Sequence, residues 1–488
     1  AAGSLPRLWV RRWREDPDRI ALVDLGDNGR EIDAAQVLRR TERLAGLLAS
    51  RGVAAGDRIL FSGEPTVEYL LLYVAALRLG ATVVPANTGY RERELAHIAT
   101  DSGASFAVID DETRGEWLGL PSIMPREAAS APEDDHRPPL DQAAGGDLAM
   151  VAYTSGTTGR PKGAMLTHGN LLASAVGVGH AWQWSSGDGL ILALPLFHLH
   201  GLGVGVNGSF AAGARILLVG SFDAVAVTEA ARRADATMFF GVPTMYQRLA
   251  ALAEERPETA TALASLRIMV SGSAPLPADL WRRIEELTGE TILERYGMTE
   301  TVMLLSNPYE GERVPGTVGF PLPGVEARLA GGGPTGEIEV RGPNVFQGYL
   351  GNEEATTTAF TEDGFFRTGD LGSVDTTGRF SIVGRLKELI ISGGYNVYPR
   401  EIEEVLEEHG AVRTAAVCGL PSAEWGELIA AAIVPTDPAD PPSAEELSVH
   451  CAERLAGYKK PRRFVFLEAL PRNAMGKISR TELAAAFD

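Results

Sequence analysis

Short apolar runs alternate with longer helical stretches, and this alternation limits the fold more than any other feature of the chain. The strand-like "RILFSG" at 58–63 is followed by "PTVEYLLLYVAALRLG" and then "ATVVPA", and "GLILALPL" and "ARILLVG" recur further on. Apolar strands separated by helices of this length predict α/β layers built on parallel strands. From about residue 336 the texture changes to short strands punctuated by turn residues: "GEIEVRG", "GFFRTGDLG" and "GRFSIVGR". Beyond Arg385, "KELIISGGYNVYPREIEEVLEEHG" reads as a strand, a glycine turn and a helix with Ile402, Val405 and Leu406 on one side. The boundary is expected at Leu386/Lys387, giving domains 1–386 and 387–488. Residues 125–146, rich in Pro, Ala and acid, read as a surface connection.

Composition narrows the function classes. At 488 residues, 45% hydrophobic and 22% charged, the chain suits a globular protein of more than one domain. Its formal charge is −19, and the basic pairs Lys459–Lys460 and Arg462–Arg463 are its longest basic run, which argues against nucleic acid or an anionic membrane as partner. Two cysteines, Cys418 and Cys451, with no C-x-x-C, fit a reducing cytoplasm and no structural zinc. "AAGSLPRLWVRRWRED" has no long apolar core and does not read as a secretion signal. The apolar stretches near 69–86 and 190–219 are broken by Arg78, Pro195, His198, His200 and Asn207, so no membrane span is expected.

Several short stretches carry chemistry. "YTSGTTGRPKGA", 153–164, lies between the strand-like "DLAMVAY" and the helix-like "THGNLLASAVGVG". Backbone N–H groups and hydroxyls presented by such a loop suit a polyphosphate, and Lys162 adds a point charge. It is not the common P-loop, because Gly163 follows the lysine. Gly203, Gly205 and Gly208 satisfy G-x-G-x-x-G, with Asp223 beyond them. The intervening "FHLHGL" is too long for the tight turn that dinucleotide binding needs, so that reading is set aside. In "ILERYGMTETVM", 292–303, Tyr296 could stack on a base, and Thr299 with Glu300 could serve phosphate and a hard divalent cation; an ordinary solvated strand end is the plain alternative. Asp370 in "GFFRTGDLG" could accept ribose hydroxyls or simply make a turn. The lysine of "PRNAMGKISR" alone would read as solvated.

Taken together, "YTSGTTGRPKG", "ERYGMTE", "RTGDLG", "GRLKELIISGGYNVYPREIE" and "PRNAMGK" resemble, in order and separation, the adenylate-forming superfamily of acyl-CoA synthetases, luciferase-like enzymes and amino-acid adenylation domains. The resemblance spans essentially the whole chain. It implies a large N-terminal domain of layered α/β subdomains with a β-barrel-like segment, followed by a small mobile α+β domain. It also implies ATP, Mg2+ and CoA as reactants and cofactors. A carboxylate attacks the α-phosphorus of ATP, pyrophosphate leaves, and a thiol then displaces AMP; charge spreads over phosphate oxygens, so catalysis rests on placed cations and orientation. By the resemblance, Lys477 bridges the acid and the α-phosphate, Glu300 holds magnesium with Thr158 beside it, and Thr299 contacts the α-phosphate. Thr154, Ser155, Gly156, Thr157, Thr158, Gly159 and Lys162 hold the distal phosphates. Tyr296, within Arg295–Met298 and flanked by Gly297, stacks on adenine beside Ser273, Ala274 and Pro275. Asp370 binds the ribose with Arg385. Lys387 is the pivot of a rotation that exchanges Lys477 for the turn at Ser392, Gly393, Gly394 and Tyr395, which covers the CoA arm.

The acid is expected to be small. "AWQW", "LPLFHLHGLG", "FGVPTMYQRL", "VSGSAPLP" and "ERYGMTETVM" are similar to malonyl-CoA and methylmalonyl-CoA synthetases. Residues 239–246 lack the acid that amino-acid activators use for the substrate ammonium. A second carboxylate in an apolar pocket needs a cation or several donors. Strand periodicity in "LRIMVSGS" puts Arg267, Met269, Ser271 and Ser273 on one face, with His198, His200 and Met303 near them and Arg283 as a fallback cation. A structural role for Arg267 is the alternative. A medium-chain or aryl monocarboxylate is the competing substrate. An inactive nucleotide- or acyl-binding relative is the competing class, against which Lys477, Glu300 and Asp370 together argue.

Overall fold

The structure, a computed structural model, describes residues 3–130, 137–154, 161–392, 395–422, 425–455, 457–472 and 478–487. It separates into two compact units, one of residues 1–327 and 340–366, the other of 328–339 and 367–488.

Two α/β sheets build the first unit, as the alternating pattern predicts. In the nine-stranded sheet, Leu293–Tyr296, Ile268–Ser271, Met238–Gly241, Gly189–Leu192, Arg215–Leu218 and Ile20–Asp24 run parallel in that spatial order. Short antiparallel strands close both edges. The six-stranded sheet is ordered Ser122–Ile123, Phe106–Ile109, Arg58–Ser62, Thr82–Pro85, Leu148–Thr154, Lys162–Thr167, with only the last pair antiparallel. The inner strands are buried on both faces, which is why they read as unbroken apolar runs. The helix Val67–Leu79 buries every residue except Glu68 and so shows no polar stripe; Thr66 caps it and Gly80 ends it in the left-handed conformation. The connection at 125–146 opens with a short helix, Pro125–Ser130.

In the second unit, Gly426–Pro435 pairs with Val412–Ser422, Ile390–Ser392 and Arg463–Phe466. The helix Pro399–Glu407 lays Ile402 and Leu406 onto this sheet, with Val405 packed against the same core, as its spacing predicts. The four-stranded sheet of Glu326–Leu329, Thr335–Arg341, Phe366–Val374 and Phe380–Arg385 accounts for the short-strand texture. Among the described residues no helix is long and apolar enough to cross a membrane.

Candidate active site

The nine-stranded sheet reverses its winding beside Gly189–Leu192: the chain moves to Arg215–Leu218 on one side, then returns to Met238–Gly241 on the other. In open α/β sheets, ligands bind outside the carboxyl ends of the strands at such a switch point. The loops leaving those ends carry His198 and His200, Gly272–Pro275, and Gly297–Met303. The sequence-predicted residues of the adenine and acyl sites therefore converge, apart from two arginines.

The backbone of these loops is under strain and tightly fitted. Ser273 and Val302 both have positive φ, 70° and 59°, the latter unusual for a β-branched residue. A Cβ on Gly297 would sit 2.1 Å from the Val302 carbonyl oxygen, and one on Gly272 would sit 2.4 Å from Cζ of Arg295. At Gly297 the clash is with backbone, so only glycine fits there.

Beneath Gly272 lies a buried polar cluster. Arg295 is 5% exposed, and its Nε and Nη2 have no hydrogen-bond partner among the described residues. The Nε2 of buried His200 likewise has no partner among the described residues, whereas Ser271 stands in register with Glu294 and so faces the other side of the sheet from Arg295. His200 Nδ1 lies 3.3 Å from the Ser273 hydroxyl, and its ring stacks on Phe240 at 6.2 Å. Burial, then the charges of Arg295 and His198, hold His200 well below the ordinary histidine range, so the ring is neutral. Burial alone lowers Arg295 to about 9. A buried guanidinium with unspent donors is costly unless an anion reaches it. Met303 is fully buried on the following loop.

Arg267 and Arg283 stand apart from these loops. Arg267 precedes Ile268–Ser271 at the amino end of the sheet, a strand length of about 13 Å from the cleft. It donates to Asp188 at 2.6 and 2.9 Å and to the carbonyl oxygens of Trp182 and Gln183, with the Tyr309 ring 5.0 Å away. Its donors are spent on the scaffold. Arg283, on the outer face of Ala278–Thr288, pairs with Glu254 at 2.5 Å and is partly exposed. Both guanidinium groups are engaged by carboxylates of the scaffold. Arg295, two of whose nitrogens have no partner among the described residues, stands in the "ERYG" motif expected to serve ATP.

On the phosphate side, Thr154 and Lys162 face each other across the hairpin that flanks the glycine-rich loop. Ser155, Gly156, Thr157, Thr158 and Gly159 lie outside the described residues. The Lys162 ammonium sits 5.1 Å above the Tyr349 ring. Glu300 is 5% exposed and accepts from the Tyr349 hydroxyl at 2.8 Å, a partner the sequence did not reveal. Thr299 is adjacent, on the turn after Tyr296–Met298; the Tyr296 hydroxyl lies 3.9 Å from the Met298 sulfur. The glycines of the rejected dinucleotide pattern lie in a buried stretch of wide-turned helix, His200–Val206, that continues as Asn207–Ala212, with no phosphate-binding turn.

In the second unit, Asp370 and Arg385 are direct cross-strand neighbours, and the buried Asp370 carboxylate lies 2.8 Å from Nε of Arg385. Lys387 falls in a single tight turn, Leu386–Glu388, between the strands Phe380–Arg385 and Ile390–Ser392. Tyr395 begins the partner strand Tyr395–Val397, while Gly393, Gly394 and Lys477 lie outside the described residues.

Residues 9–350 match the AMP-binding enzyme family and residues 401–477 match the AMP-binding enzyme C-terminal domain. The chain belongs to this family. Within it the chain groups with the adenylate-forming acyl-CoA synthetases that its motifs resemble. A feruloyl-CoA synthase of Amycolatopsis sp is 38% identical over 99% of both chains. A malonate–CoA ligase of Arabidopsis thaliana is 35% identical over 90% of this chain and 79% of its own. The crystal structure of ATP-bound MatB from Rhodopseudomonas palustris matches with a TM-score of 0.90 at 38% identity, over 99% of each chain.

Proposed function

We propose that this AMP-forming acyl-CoA synthetase joins malonate, or its methyl-substituted form, to CoA. Arg295 carries the proposal. A guanidinium buried beside a neutral histidine matches a second carboxylate: the arginine supplies charge and a planar donor pair, and His200 supplies a further polar contact. A feruloyl or medium-chain group would leave that charge buried and unpaired, which disfavours the monocarboxylate reading although feruloyl-CoA synthase is equally similar in sequence.

One carboxylate of the acid attacks the α-phosphorus, forming an acyl-phosphate bond as the bond to pyrophosphate breaks. CoA sulfur then attacks the acyl carbon and AMP leaves. Thr154, Lys162 and the intervening loop hold the distal phosphates, Thr299 the α-phosphate, Tyr296 and the 273–275 loop the adenine, and Asp370 with Arg385 the ribose. Lys477 neutralises charge on the reacting phosphorus oxygens. Magnesium takes one or two carboxylates and completes its shell with phosphates and water. Glu300 would be that carboxylate, and the chemistry supplied there is charge neutralisation on the departing pyrophosphate. Rotation about Lys387 would then bring the 392–395 turn to the CoA arm.

A panel of malonate, methylmalonate, octanoate and cinnamate, scored by CoA-dependent AMP formation, tests the assignment. Malonate or methylmalonate should lead. If octanoate or cinnamate turns over fastest, the dicarboxylate reading is wrong.

A further inference from the structure

The segment 346–350 ties two parts of the phosphate site together. Leu350 N–H donates to the Gly163 carbonyl at 2.8 Å, Met165 N–H to Gly348 at 3.0 Å, and Gln347 N–H to Met165 at 3.0 Å. The strap is thereby fastened along the strand that leaves the glycine-rich loop. At its other end Phe346 N–H donates to the Glu300 carbonyl at 2.8 Å. Tyr349 stands between these anchors. Its N–H donates to the Thr356 hydroxyl at 2.9 Å, its ring meets Phe346 edge-on at 4.9 Å, and its hydroxyl donates to Glu300 Oε1 at 2.8 Å while Lys162 lies over the ring face. One side chain thus touches the carboxylate and the ammonium on which the phosphate site depends.

We propose that Tyr349 is a positioning residue that fixes the Glu300 carboxylate, and through its ring the Lys162 ammonium, in the arrangement that receives a divalent metal and the triphosphate. The inference rests on Glu300 being the metal carboxylate. A carboxylate only accepts, so the 2.8 Å bond runs from the Tyr349 hydroxyl to Glu300. Partners that orient a metal-binding carboxylate typically contribute 10–100-fold in metal affinity. The ring contributes separately, as a face for the lysine cation.

The test uses Mn2+ as probe, its binding followed by electron paramagnetic resonance with the full chain saturated by a non-hydrolysable ATP analogue. Tyr349→Phe should weaken Mn2+ by about 10–100-fold with thermal stability unchanged. Glu300→Gln should weaken it at least as much, and the double variant should be no worse than Glu300→Gln alone. Tyr349→Leu should, in addition, weaken the nucleotide in metal-free buffer, where the phenylalanine variant should not. Unchanged Mn2+ affinity in Tyr349→Phe, with a loss in Glu300→Gln, overturns the inference and leaves Glu300 in place. Unchanged affinity in Glu300→Gln overturns the metal assignment itself. A phenylalanine variant that melts early without a metal defect also overturns the inference, since the hydroxyl would then be structural.

Discussion

Replacing Arg267 by methionine should damage the fold and spare substrate choice. The guanidinium makes two bonds to Asp188, whose side chain is 4% exposed, and two more to backbone carbonyls. Removing one partner of a buried ion pair costs about 3–5 kcal/mol. Arg267 is itself 24% exposed, so water can partly replace it and the lower end, about 3 kcal/mol, is expected. That corresponds to a drop of about 5 °C in the melting transition of the first unit. The loss should depend on pH. Burial alone would raise Asp188, but the bonds from Arg267, Ser185 N–H and Thr237 outweigh it and hold the carboxyl below its ordinary value. A carboxylate depressed by folding stabilises above its unfolded-state value, and that contribution fades as pH falls through the folded-state value. Without Arg267, burial is opposed by fewer bonds, and protonating Asp188 relieves a buried charge. The deficit of Arg267→Met against the parent should therefore be largest near neutrality and shrink in acid. Calorimetry from neutral to acid pH, with malonate and butyrate kinetics on the same preparation, checks both parts. An unaltered melting temperature with a selective loss of malonate turnover would refute the reasoning and return Arg267 to the pocket.

Two further outcomes concern the second unit. Lys477→Ala should slow acyl-adenylate formation by about 10²–10³-fold while thioester formation from supplied adenylate continues, and equal losses in both half-reactions would make the lysine structural. Lys387→Pro, which fixes φ near −65° inside the Leu386–Glu388 turn, should affect the two half-reactions very unequally, thioester formation the more; a folded variant slowed equally in both places the pivot elsewhere.

The layers of the first unit were legible because strands buried on both faces have no choice but to be continuously apolar, and the helices between them carry ordinary caps such as Thr66 and the Thr167–Asn170 pair. The loops of the site were legible as motifs. The surroundings of the three arginines were not. Period-two alternation gives the face of a strand on which Arg267 lies, but not which end of a parallel sheet opens into the cleft; that depends on strand order, which only the fold supplies. Helical spacing likewise could not tell that Arg283 would meet Glu254 on a neighbouring helix. Tyr349 was invisible for a related reason: its partner Glu300 is 49 residues away, and "FQGYL" carries no composition signal of its own.

The central claim is that Arg295 holds the second carboxylate, and its most direct test is the ratio of kcat/KM for malonate to that for butyrate in the parent and in Arg295→Met. Loss of the partner of a buried carboxylate should lower malonate turnover by about 10²–10³-fold, while removal of an unpaired buried charge should leave butyrate unchanged or improved, so the ratio collapses. A parallel fall for both acids, with the ratio preserved, would show that Arg295 serves the nucleotide or the scaffold and would contradict the account.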